Sequence, residues 1–86
     1  MNVEVALSGS IVSVEALVRF LRNLEKSVPA PVGAPKVVMG GDGVIYVKAE
    51  FATEEEAWQA GEKMAEVSTE IVEDTDVLIV LAPFAV

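Results

Sequence analysis

The order of two hydrophobic periods along the chain is the feature that most constrains its fold. Apolar residues alternate with polar ones over residues 2–7, which is the period of a half-buried strand. The period then becomes helical over residues 14–28. Residues 36–39 predict a short strand, and alternation returns in residues 44–51, after a glycine-rich turn typical of a hairpin. The predicted inward stripe of the helix is Val14, Leu17, Val18, Leu21, Leu24 and Val28.

The second half of the chain predicts one more helix and one more strand. Thr53 and Glu56 have the spacing of a capping box, at the start of a predicted helix over residues 54–70. A polar turn over residues 73–76 follows. Residues 77–82 are continuously apolar and predict a final strand that ends before Pro83. The helix has an inward stripe of mostly small residues, predicted as Ala57, Ala60, Gly61, Met64, Ala65 and Ser68.

The order strand, helix, strand, strand, helix, strand resembles the ferredoxin-like βαββαβ fold over the whole chain. We therefore expect one α+β domain, residues 1–86, with two helices on one face of a four-stranded antiparallel sheet. The expected strand order is fourth, first, third, second. Glu4, Tyr46, Lys48 and Glu50 would lie on the uncovered face, with Lys48 near Glu4. A fold shared by many functions predicts no activity by itself.

The last predicted strand is apolar on both faces, although this topology places it at an edge of the sheet. Each large aliphatic side chain that stays in water forgoes about 1.5–3 kcal/mol of stabilisation that burial would provide, and this strand has three of them. We expect a second copy of the chain to cover them, by edge pairing or by sheet-on-sheet packing. The alternative is that the tail, residues 83–86, folds back over the strand. The expected homodimer interface consists of Leu78, Val80, Ala82 and Phe84.

The charge of the chain is concentrated in one segment. Fourteen acidic and six basic residues give a net charge of −8, and nine of the acids with one base lie in residues 53–76. Such a balance disfavours free nucleic acid as a partner. Acids spaced by four form a stripe on the second helix, which with Trp58 predicts a docking surface for a basic protein. The alternatives are a face kept acidic for solubility and a Trp58 packed on the sheet edge. The stripe consists of Glu62, Glu66 and Glu70.

The chain has no histidine and no cysteine, which removes the usual general base, the thiolate nucleophile and the commonest metal ligands. We expect no catalytic residue, no metal and no cofactor. Ser8, Gly9 and Ser10 lead towards a helix N-terminus, where backbone amides can hold an anion, or form an ordinary turn. In the first case the chain would be a small-molecule-sensing regulatory domain. Acylphosphatases share the ferredoxin-like fold, but their anion site needs an arginine after the first strand, and residues 8–13 contain none.

The sequence therefore predicts a small, non-catalytic protein-interaction or regulatory module that self-associates. The N-terminal residues lack the basic start of a signal peptide, and the longest apolar run, residues 77–86, is shorter than the about 20 residues that span a bilayer as a helix. We expect a cytoplasmic protein with no membrane contact.

Overall fold

Two helices and three strands form within residues 11–86, the part of the chain that the computed structural model describes. The first predicted strand, residues 2–7, lies outside the described residues. In chain order the elements are α1 (Ile11–Glu25), β1 (Lys36–Met39), β2 (Ile45–Phe51), α2 (Glu54–Thr75) and β3 (Ile79–Ala85).

In this part of the chain, β2 is the central strand of a sheet with the order β1-β2-β3. β1 and β2 form the predicted hairpin and are antiparallel, with Lys36 opposite Lys48. β2 and β3 are parallel neighbours, with Ile45 opposite Ile79. Because α2 connects these two parallel strands, β2, α2 and β3 together make a βαβ unit.

The predicted ferredoxin-like fold, with its four-stranded antiparallel sheet, is wrong. It would place the first strand between the segments that form β2 and β3. These two strands instead bond directly, and the Ile45 N–H donates to the Leu78 carbonyl at 3.0 Å. The order of elements did not decide whether another strand separates them. A continuous apolar run such as residues 77–82 is typical of a parallel strand, and this signal favoured the observed pairing.

The alternating pattern of β2 produces a strand with one buried face, as predicted. Every second side chain packs beneath the helices, while Lys48 between them is exposed. Burial of these apolar side chains is the main favourable contribution to folding of this layer. The buried residues of β2 are Ile45, Val47, Ala49 and Phe51, each at most 3% exposed.

The buried face of α1 is rotated from the predicted one. The core contains Ala16, Phe20 and Leu24, and the partly buried Leu17 and Leu21 pack against it. Leu17, Leu21 and Leu24 of the predicted stripe therefore face the core, whereas Ala16 and Phe20 were not predicted to do so. Val14 and Val18 are instead exposed by 37% and 41%. Apolar residues occur on most sides of this helix, so its periodicity did not fix one inward face. The aromatic ring of Phe20, which has no exposed surface, has the largest apolar area to bury.

α2 begins at its predicted cap and lies close to the sheet. The Thr53 side-chain oxygen accepts a hydrogen bond from the Glu56 backbone N–H at 3.1 Å. A Cβ atom at Gly61 would lie 3.4 Å from the Pro83 ring, so the small residue allows helix and strand to approach. Ala65 is exposed, although it was predicted to face inward. The buried residues of α2 are Ala57, Ala60, Met64, Ser68 and Ile71.

α2 also extends farther than predicted. Ile71 is fully buried and continues the apolar stripe, and the helix therefore runs to Thr75 instead of ending near residue 70. Asp76 follows in a left-handed conformation, with φ of 63°, and its backbone N–H closes the last turn. The predicted polar turn is thus mostly helical.

Candidate interaction surfaces

The face of the sheet that the helices leave uncovered, here called the open face, is the first candidate surface. Lys48 on β2 is exposed on it, as the alternation predicted. Because directly opposite residues of paired strands share a face, the register extends this surface across β1 and β3. The open face consists of Lys36, Val38, Tyr46, Lys48, Glu50, Val80, Ala82 and Phe84.

Two lysines lie side by side on the open face. Lys48 has Lys36 opposite it on β1 and Ala82 on β3. Glu4, which was predicted to lie near Lys48, is outside the described residues. Like charges directly opposite each other destabilise a strand pair. The open face is therefore locally basic in a chain whose net charge is −8.

The residues predicted as an oligomer interface lie in β3 and just before it. Val80, Ala82 and Phe84 are on the open face, and Phe84 is 45% exposed. Leu78 precedes the strand, is 41% exposed and lines a shallow groove between β3 and α2. The structure thus brings three of the four residues onto one surface.

The C-terminal residues belong to β3, which overturns two expectations. Pro83 was predicted to end the strand, but β3 continues to Ala85. Pro83 lies opposite Ala49 and Ala85 opposite Phe51 in the parallel register. Because these tail residues extend the strand, the alternative in which they fold back over it is wrong.

Within residues 11–86, β3 lies at the end of the sheet, but its free edge is interrupted. The Leu78 carbonyl points towards β2, so residues an odd number of positions later direct their backbone groups to the free edge. Pro83 is one of them, and proline has no N–H to donate. Proline is a common device against pairing at sheet edges. Strand addition here is therefore disfavoured, whereas neither helix of the described residues covers the open face, which residues 32–34 border near Glu50 and Phe84.

The second candidate surface is the acidic face of α2. Two cations, Lys63 on α2 and Arg19 on the neighbouring helix α1, have partners outside this face. Lys63 donates a hydrogen bond to the Val28 carbonyl, and Arg19 on α1 pairs with Asp74 at 2.8 Å. Among the described residues, the one salt bridge, between Arg19 and Asp74, does not involve this face. The acidic face consists of the exposed residues Glu62, Glu66 and Glu70.

Trp58 is 65% exposed near the start of α2. It lines a shallow groove together with Glu54, Pro83 and Phe84. An exposed tryptophan supplies a large apolar area with few rotatable bonds, and tryptophan is enriched among the residues that dominate binding interfaces. Trp58 is largely exposed beside the edge strand β3.

The hairpin between β1 and β2 fixes one end of the open face. Asp42 accepts hydrogen bonds from the Val44 N–H at 3.1 Å and from the Tyr46 hydroxyl at 3.2 Å. The Val44 bond is the main cause that lowers the pKa of Asp42, while the bond to Asp42 raises the pKa of Tyr46. A Cβ atom at Gly40 would lie 2.7 Å from the Tyr46 ring. A side chain at this position would therefore require Asp42 and Tyr46 to shift.

Sequence reasoning missed several members of the open face. Lys36 and Val38 join it only through the register of β1, which the hairpin sequence did not reveal. Ser8, Gly9 and Ser10, the residues of the alternative ligand site, lie outside the described residues.

Comparisons with protein-family models, curated proteins and solved structures found no match to this chain. Within the described residues, no helix combines the length and the apolar composition needed to cross a bilayer.

Proposed function

We propose that this chain is a non-catalytic protein-interaction module that self-associates through its open face and offers the acidic face of α2 to a basic protein. The observation that carries the proposal is the row of apolar side chains on β3 that the described part of the chain leaves partly exposed. Val80 and Ala82 are half-buried and Phe84 is 45% exposed, all on the same side of the strand.

Burial of this row by a second copy is energetically favourable. Removal of apolar surface from water contributes about 25 cal/mol per Å², and contiguous apolar patches on soluble proteins often mark interaction sites. A self-complementary patch on one face leads to a closed dimer with two-fold symmetry. Pro83 weakens the competing route through edge pairing, so packing through the open face is the favoured mode.

Light scattering coupled to size exclusion tests the self-association. We expect the wild-type mass to rise from monomer to dimer with concentration, and Phe84→Glu to remain monomeric. Val18→Glu is a matched control, because Val18 is 41% exposed on α1, away from the open face. Circular dichroism should show that both variants keep the fold. A wild-type chain that is monomeric at every concentration would contradict the proposal.

The exposure of Trp58 beside the acidic residues of α2 supports the second part of the proposal, a basic partner. Trp58 is the single tryptophan of the chain, so its fluorescence reports on this region alone. We expect an arginine-rich peptide to change this fluorescence, with an affinity that falls as salt is added. Reversal of Glu62, Glu66 and Glu70 to lysine should abolish the response. Reversal of Glu15 and Glu25 on α1 to lysine is the control. Equal binding of the peptide by both variants would exclude the acidic face as its binding site.

A cytoplasmic location is part of the same proposal. Cell fractionation of a tagged chain tests it, and recovery of the protein in a membrane or extracellular fraction would contradict it.

A further inference from the structure

We infer that two copies pack open face against open face about a two-fold axis level with the Ala49–Pro83 pair. The axis runs across the strands, parallel to the two sheets. This arrangement brings Lys48 against Glu50 of the second copy and Phe84 against Ala82 of the second copy. The inference rests on the self-association proposed above, and it specifies which residues meet.

Charge complementarity is the first argument for this axis. Lys48 and Glu50 lie on the open face of β2, one on each side of Ala49. A two-fold rotation level with Ala49 exchanges their positions, so Lys48 of each copy meets Glu50 of the other, which gives two lysine–carboxylate pairs in the dimer. Lys36 lies beside Lys48, and their unfavourable proximity is relieved when a carboxylate approaches both.

Size complementarity is the second argument, and it comes from a different strand. Pro83 lies opposite Ala49, so the same axis exchanges Ala82 with Phe84 on β3. The large aromatic ring then covers a small side chain in each copy. One step farther out, Val80 meets Val86, which is fully exposed in the single chain. Alternating large and small residues at facing positions allow two sheets to pack about 10 Å apart.

The distribution of negative charge also favours this arrangement. α2 lies on the covered face of the sheet, so its acidic residues face outward on opposite sides of such a dimer. Two sheet layers then separate the acidic faces, which places them beyond the Debye length of about 8 Å at physiological salt. Edge pairing through β3 would instead bring the two α2 helices near each other, because α2 packs on β3.

A charge-swap experiment tests the pairing. Glu50→Lys alone should weaken dimerisation about tenfold, because two attractive pairs become repulsive. Lys36→Glu combined with Lys48→Glu should do the same. An equimolar mixture of the two variants should restore a dimer of wild-type mass, since opposite charges then meet at every facing position. Glu66→Lys on α2 changes the net charge by the same amount as Glu50→Lys and should leave the dimer unchanged.

The outcomes separate the inference from the proposed function. A wild-type dimer that neither charge variant weakens would overturn this arrangement and leave self-association standing. Loss of the dimer in both variants without recovery in the mixture would also overturn it, provided that circular dichroism shows folded chains. A wild-type chain that stays monomeric would overturn the arrangement and the proposed self-association together.

Discussion

The two faces of the sheet carry a phenylalanine each, and the two rings have opposite environments. Phe51 on β2 is 1% exposed beneath the helices, whereas Phe84 on the neighbouring strand is 45% exposed on the open face. The covered face is thus completed by the chain itself. The open face combines apolar residues with Lys36, Lys48 and Glu50, and the described residues leave it less buried than the covered face.

The largest expected effect comes from truncating the two rings. Phe51→Ala should lower the free energy of unfolding by about 3–5 kcal/mol, because it leaves a cavity in the core. Phe84→Ala should cost less than about 1 kcal/mol in the monomer and should act mainly on dimerisation. Urea unfolding at low concentration measures the first effect, and light scattering the second. Equal losses of monomer stability would contradict the contrast between the faces.

Patterns within one segment predicted this contrast, whereas the pairing of distant segments could not be predicted. The alternation in β2 predicted which residues lie on each face of the strand, and Thr53 predicted where α2 begins. By contrast, the partner of β3 depends on contacts between segments more than 30 residues apart, such as Ile45 with Ile79. The membership of Lys36 in the open face follows from a different pairing, the register of β1 against β2. The inward face of α1 could not be predicted either, because apolar residues lie on most sides of this helix and the buried side is the one that contains Phe20.

The hairpin end of the open face offers a smaller but sharper comparison. Gly40→Ala would place a methyl group 2.6 Å from the Asp42 carboxylate and 2.7 Å from the Tyr46 ring. We expect a loss of about 1–3 kcal/mol, as for other overpacked sites. Gly41→Ala is the matched control, because nothing lies within 4 Å of its added Cβ atom. Thermal unfolding should show the difference, and identical midpoints would show that Tyr46 moves freely aside.

On the covered face, the free energy of unfolding should depend on the size of the side chain at position 61. Gly61→Ala replaces a helix-interior glycine, and its Cβ atom meets the Pro83 ring at 3.4 Å. We expect a gain of about 0.5–1 kcal/mol from the reduced backbone entropy of the unfolded chain. Gly61→Leu should instead lose about 1–3 kcal/mol by pushing α2 away from β3. If both variants are equally stable in urea, α2 and β3 do not pack as closely as described.

The smallest effect concerns the titration of Tyr46, the single tyrosine of the chain, at the rim of the open face. Its hydrogen bond to Asp42 raises the pKa of Tyr46, so the bond stabilises the fold below pH 10.0 and is lost as the pH rises through the raised pKa. The lowered pKa of Asp42 has the opposite pH dependence. The stabilisation of the fold by the Asp42 carboxylate is present above pH 3.8 and is lost as the pH falls through the lowered pKa. Asp42→Asn should therefore return the pKa of Tyr46 towards 10.0 in a titration followed by phenolate absorbance. Asp76→Asn, far along the chain at the end of α2, should leave that titration unchanged. A Tyr46 pKa that does not respond to Asp42→Asn would mean that the hairpin carboxylate does not hold this end of the open face.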